Sequence, residues 1–181
     1  NEDGSLGERN EVTCVSIEHK MGIHCSPTCV LAYGDDQGAV GYLLGEEFQG
    51  MEAMFTMMNA ARILVGLQGV GVAEMACQAA LEYAQERRQG HAIGTERDPA
   101  GSPIIEHPDV RRNLMTMRAL TEATRGVAFL NSEAFDLAHH HPDPDIRATA
   151  NERCDILTPI TKSWGTDAAS EVTSTAASVH G

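Results

Sequence analysis

Apolar and polar positions change their period once along the chain. Val12-Thr13-Cys14-Val15-Ser16-Ile17 is β-branched, Thr28 to Tyr33 repeats that character, and Gly41-Tyr42-Leu43-Leu44 follows a turn at Gly34-Asp35-Asp36. These three runs predict short strands joined by turn residues. Three strands with only eleven residues upstream make a poor closed sheet, so the expectation is that the sheet begins before Asn1.

After Gly50 the spacing becomes helical. Met54, Met58, Leu64, Leu67, Val70 and Met75 mark an apolar face, and Met51 to Gln89 contains no proline. The stretch predicts one helix of about 39 residues, roughly 58 Å long. Gly66, Gly69 and Gly71 each cost such a helix about 1 kcal/mol relative to Ala, which calls for a helix or ligand in close approach. The methionines Met51, Met54, Met57 and Met58 read first as core packing and second as an adaptable groove. A second helix is announced by Pro108-Asp109 and runs to about His140, with a seam at Val110, Leu114, Met117, Thr121, Thr124, Ala128, Phe135 and Ala138. A third starts near Asp143-Pro144-Asp145 and reaches about Val179, with Pro159 expected to kink or split it. The fold class is α+β, mainly α: the tail of an antiparallel β-domain (1–50), then an incomplete antiparallel helical bundle (51–181).

Charge removes several function classes. There are 26 acidic and 13 basic side chains, a formal net charge of −13, with the basic residues scattered. Neither nucleic acid nor an anionic membrane surface is an expected partner. No apolar stretch is expected to approach the roughly 20 residues of a membrane span, so no span is expected. Five cysteines (Cys14, Cys25, Cys29, Cys77, Cys154) without CxxC spacing predict neither a disulfide framework nor zinc, and fit a reducing cytoplasm. Cys25 and Cys29, with His19 and His24 nearby, lack a second ligand pair, so they are expected to fill space in a strand. His139-His140-His141 falls where the second helix ends, where such side chains suit the helix dipole better than they suggest a metal.

Several separate motifs occur in a fixed order: Ile17-Glu18-His19-Lys20-Met21-Gly22-Ile23, Gly45-Glu46-Glu47, Met57-Met58-Asn59-Ala60-Ala61-Arg62, Gln68-Gly69-Val70-Gly71, Tyr83-Ala84-Gln85-Glu86-Arg87-Arg88-Gln89 and His107-Pro108-Asp109-Val110-Arg111-Arg112. Together they resemble the acyl-CoA dehydrogenase family over almost the whole chain, in the branch that includes 3-methylmercaptopropionyl-CoA dehydrogenases. The resemblance implies FAD as cofactor, an acyl-CoA thioester as substrate, an electron-transfer flavoprotein as redox partner, and a homodimer or homotetramer. It implies substrate contacts from Arg62 and from Asn59, which stands where the family often has an acidic residue. It implies cofactor contacts from Arg87, with Arg88 a rival for the same role, and from Gln89. Ser178-Val179-His180-Gly181 resembles the start of the family's Gln-x-x-Gly-Gly flavin motif, which implies cofactor contacts from Ser178 and Gly181.

No residue matches a catalytic one. In most of the family the glutamate base lies downstream of that glycine pair, and the alternative position, just before the arginine on the first bundle helix, is Ala61. The expectation is a fragment of a dehydrogenase of fatty acid or methylmercaptopropionate metabolism, inactive by itself. The competing expectation is a non-catalytic helical scaffold derived from the same fold.

Overall fold

The computed structural model describes residues 3–94 and 98–181. The chain divides at Met51 and Glu52 into two compact units.

In the first, β1 (Val12–Ile17) and β2 (Cys29–Tyr33) pair antiparallel, with Val12 opposite Tyr33 and Ile17 opposite Cys29, and a bulge lies between Cys14 and Ser16. The third expected strand is not present: among the described residues only these two strands form. The Asn10 side chain pins the residue just before this segment: its amide donates to the Val40 carbonyl (2.7 Å) and accepts from the Val40 N–H (2.9 Å). Glu11 likewise takes the amides of Asp36 and Gln37, both at 2.8 Å. Side chains therefore hold the 36–40 stretch that leads into the segment, while Tyr42, Leu43 and Leu44 stay exposed with no strand beside them among the described residues. Cys25 and Cys29 are exposed, contrary to the space-filling expectation, and so is Cys14. A two-stranded hairpin supplies no second layer to bury them.

The second unit holds three long helices: α1 (Gly50–Glu86), α2 (Pro108–His140) and α3 (Pro144–His180). Pro108 and Pro144 open the latter two at positions where a missing N–H costs nothing, and the Asp143 carboxylate caps α3 by accepting from the Asp145 amide (2.9 Å). Cys77, Ala80 and Ala84 of α1, Met117 of α2, and Val172 and Ala176 of α3 share one core. Close approach of small residues replaces large apolar contacts here. Gly66 lies against Thr161, Gly69 against Gly165, and Tyr83 stacks on His180, so α1 and α3 run in the same direction with α2 reversed between them in sequence. Nothing stands within 4 Å of where a Cβ of Gly71 would be, so its expected packing role is not found.

Two helix boundaries differ from expectation for local reasons. α1 stops at Glu86, three residues early, because the 102–104 segment engages the backbone beyond it: Ile104 N–H donates to the Arg87 carbonyl (2.7 Å) and Gln89 N–H to the Ser102 carbonyl (3.0 Å). α3 is not split at Pro159. Pro159 lies on an exposed face, and its neighbours are tied to α2: Asn131 Nδ2 donates to Thr161 Oγ1 (3.0 Å), and Thr158 Oγ1 to Asn131 Oδ1 (3.4 Å).

By length and composition α1 is apolar enough to cross a membrane, contrary to the expectation that no stretch approaches that length. Its small residues line the bundle core, and its Glu74 is ion-paired to Arg125 (2.6 Å) and Arg118 (3.3 Å) of α2. At the α2 terminus His139 Nδ1 bonds the Phe135 carbonyl (2.8 Å) while the two rings stack at 4.2 Å.

Candidate functional site

The candidate residues fall into two groups at opposite ends of α1. Near its start, Asn59 and Arg62 are one turn apart on one face and both half-buried. Arg62 lays its guanidinium over the Phe55 ring, 5.3 Å from the centroid, and has no ion pair among the described residues. A ring face holds a planar cation while leaving its in-plane donors unused. Met51, Met54 and Met57 around this segment are exposed, so they are not the core residues that their spacing suggested.

At the other end, Arg87 and Arg88 have different fates. The Arg88 guanidinium is consumed internally: Nη2 meets Asp98 Oδ2 at 2.7 Å and Nε donates to the Gly101 carbonyl at 3.0 Å. Asp98 is held below the ordinary carboxylate range, first by the Ala100 N–H and then, against some desolvation, by the Arg88 charge. Arg87 is exposed, and its side chain has no hydrogen bond or ion pair among the described residues. Gln89 uses its backbone for structure, accepting from His107 Nε2 (2.8 Å), and leaves its side chain exposed.

The end of α3 lies beside this segment. Tyr83, one turn before Arg87, stacks on His180 with ring centroids 4.6 Å apart. Ser178 sends its hydroxyl to the Ser174 carbonyl (3.2 Å), and Gly181 has a φ of +115°, where only glycine sits without strain. The fold thus brings the last residues of α3, Ser178 to His180, with Gly181, to the Arg87 end of the bundle. It does not bring Arg62 there, since Arg87 lies 25 positions further along the chain, about 37 Å if taken as helical rise. Sequence reasoning missed Asp98, His107 and Tyr83. They lie in an irregular loop, at a helix entrance and inside a helix, where no spacing rule identifies partners.

A family profile described as "Acyl-CoA dehydrogenase, C-terminal domain" matches residues 49–181. Among curated proteins, a 3-methylmercaptopropionyl-CoA dehydrogenase of Ruegeria pomeroyi is 46% identical over 99% of this chain and 30% of its own length. A butyryl-CoA dehydrogenase of Syntrophomonas wolfei is 38% identical over 100% of this chain and 30% of its own length. The chain therefore spans about 30% of the length of these curated relatives. The solved structure of butyryl-CoA dehydrogenase from Megasphaera elsdenii superposes with a TM-score of 0.69 at 26% identity, covering 94% of this chain and 38% of that one.

Proposed function

This chain belongs to the acyl-CoA dehydrogenase family, and from that premise we propose that it is the C-terminal helical part of a flavoenzyme that oxidises an acyl-CoA thioester to the 2,3-enoyl-CoA. On this reading residues 1–50 are the end of the middle β-domain and 51–181 the helical bundle. The two curated relatives are named for different acyl groups, and the acyl-CoA thioester is what those names share.

The observation that carries the reading is the contrast between adjacent arginines. Arg88 is spent on Asp98, whereas Arg87 is exposed with no side-chain partner among the described residues, at the end of the bundle where α3 also ends. A free, planar fork of donors suits phosphate oxygens, so the residues present fit the pyrophosphate of FAD. When bound, FAD would supply the hydride acceptor. Arg87 and Gln89 would hold the pyrophosphate side, with Ser178 and Gly181 flanking it. Asn59 and Arg62 would orient the thioester at the other end of α1, where the Phe55 ring presets the Arg62 guanidinium. Their distance from Arg87 fits a homodimer or homotetramer in which one subunit's Arg87 serves a cofactor held mainly by another. An electron-transfer flavoprotein would reoxidise the cofactor, in the cytoplasm.

The base comes from outside these 181 residues. Ala61 precedes Arg62 and has no proton-accepting group. Absence of a positioned base removes about 10²-fold to 10⁴-fold in rate, so the 181-residue chain is inactive by itself. The test compares this chain with the whole protein that contains it. The whole protein is expected to purify yellow and to reduce an electron acceptor when given acyl-CoA, and the 181-residue chain to purify colourless. A colourless whole protein that gains no flavin on titration with FAD contradicts the reading.

A further inference from the structure

We infer that Arg88 and Asp98 form a lock that positions Arg87 for an anionic ligand, so that Arg88 acts through its neighbour and does not touch the cofactor. The inference rests on the reading of Arg87 as a pyrophosphate contact and adds the device that holds it.

The segment leaving α1 is fixed as a miniature antiparallel ladder. Arg88 forms an isolated bridge with Pro103, Gln89 N–H donates to Ser102 O (3.0 Å), and Ser102 N–H donates back to Gly90 O (2.9 Å). The Ile104 N–H holds the Arg87 carbonyl at 2.7 Å, and His107 Nε2 donates to the Gln89 carbonyl at 2.8 Å. Gly90 (φ +61°) turns the chain away, and Gly101 (φ +80°) is buried so tightly that a Cβ there would stand 3.0 Å from Gly90 O. Across this ladder the Arg88 guanidinium bridges Asp98 and the Gly101 carbonyl and closes the loop from its outer side.

Two adjacent cations with these assignments have a physical logic. A long side chain loses rotamer freedom when it grips a ligand, and backbone that is already fixed lowers the remaining ordering cost. The Arg87 N–H still closes the last turn of α1 on the Tyr83 carbonyl (2.8 Å) while Arg88 enters the bridge with Pro103, so holding Arg88 in the loop fixes the backbone from which the exposed Arg87 side chain leaves.

The test uses the full-length flavoprotein, with FAD dissociation constants for Arg87→Ala, Arg88→Ala, Asp98→Asn, the Arg88→Ala/Asp98→Asn double variant and the swapped pair Arg88→Asp/Asp98→Arg. Thermal unfolding is measured on the same samples, with amide exchange at Gln89 and Ser102. Arg87→Ala is expected to weaken FAD by about 10-fold or more, the loss of a charged hydrogen bond. Asp98→Asn is expected to weaken it by about 3-fold to 10-fold, the double variant no more than the worse single one, and the swapped pair to recover part of the loss. Amide exchange at Gln89 and Ser102 should quicken in both single lock variants. If Asp98→Asn leaves FAD affinity unchanged or tighter while Arg88→Ala weakens it, Arg88 is itself a ligand and the inference is overturned. A lower melting temperature with unchanged FAD affinity in both lock variants assigns them a purely structural role and overturns it too. An unchanged affinity in Arg87→Ala overturns the underlying cofactor reading instead, which separates the two failures.

Discussion

Gly69 of α1 packs so closely on Gly165 of α3 that a Cβ at Gly69 would stand 2.5 Å from the Gly165 carbonyl oxygen. The obstacle is backbone, which cannot swing aside as a flexible side chain does. Gly69→Ala gains about 1 kcal/mol of helix propensity but meets an overlap that costs more, for a net loss of about 1–2 kcal/mol. Gly71, two residues on, has nothing within 4 Å of its would-be Cβ, so Gly71→Ala should gain about 0.5–1 kcal/mol. Urea unfolding of the two variants checks the sign of each. Equal effects would show that the glycines are not there for helix contact.

The α1 to α2 seam carries a pH dependence. Glu74 is held below the ordinary carboxyl value of 4.5, first by the Gln78 amide, then by hydrogen bonding to Arg125, and also by the charges of Arg118 and Arg125. A carboxyl whose folded pKa is depressed contributes stability that is fully present above the unfolded value and is lost as pH falls through the folded one. Glu74→Gln should therefore cost about 1 kcal/mol at pH 7. That difference should shrink as pH falls below 4.5, and melting temperatures from pH 7 down to 3 provide the check. A difference that grows on acidification would contradict the assignment.

Between α2 and α3, fully buried Asn131 joins Thr158 and Thr161 on either side of Pro159. Asn131→Ala leaves a cavity and removes the partner of both hydroxyls, although Thr161 keeps its bond to the Leu157 carbonyl (2.8 Å). The expected loss is about 2–3 kcal/mol. Pro159→Ala restores an N–H on the exposed side of α3 and should stabilise by about 1 kcal/mol or more. Thermal unfolding of the two single variants should give shifts of opposite sign.

What was legible in the sequence was legible for local reasons. Pro108 and Pro144 announce two helices to the residue, and the glycines of α1 announce a close neighbour, borne out at Gly66 and Gly69. The third strand does not form: Asn10, thirty residues away, holds Val40 just before it, and no strand lies beside Tyr42 to Leu44 among the described residues, neither of which a local pattern encodes. The early stop of α1 and the commitment of Arg88 failed likewise, since Asp98 and Ser102 act from an irregular loop. Family likeness supplied the candidate positions Asn59, Arg62, Arg87, Gln89, Ser178 and Gly181. The geometry adds that Arg88 is engaged, and that the end of α3, from Ser178 to Gly181, shares an end of the bundle with Arg87.

The most direct test of the account is an anaerobic titration of the full-length flavoprotein with an acyl-CoA, following oxidised-flavin absorbance and the CoA product together. The account predicts bleaching of the flavin with about one 2,3-enoyl-CoA formed per flavin reduced, as hydride transfer to a bound cofactor requires. An unbleached flavin with every acyl-CoA tried, butyryl-CoA and 3-methylmercaptopropionyl-CoA included, would contradict it.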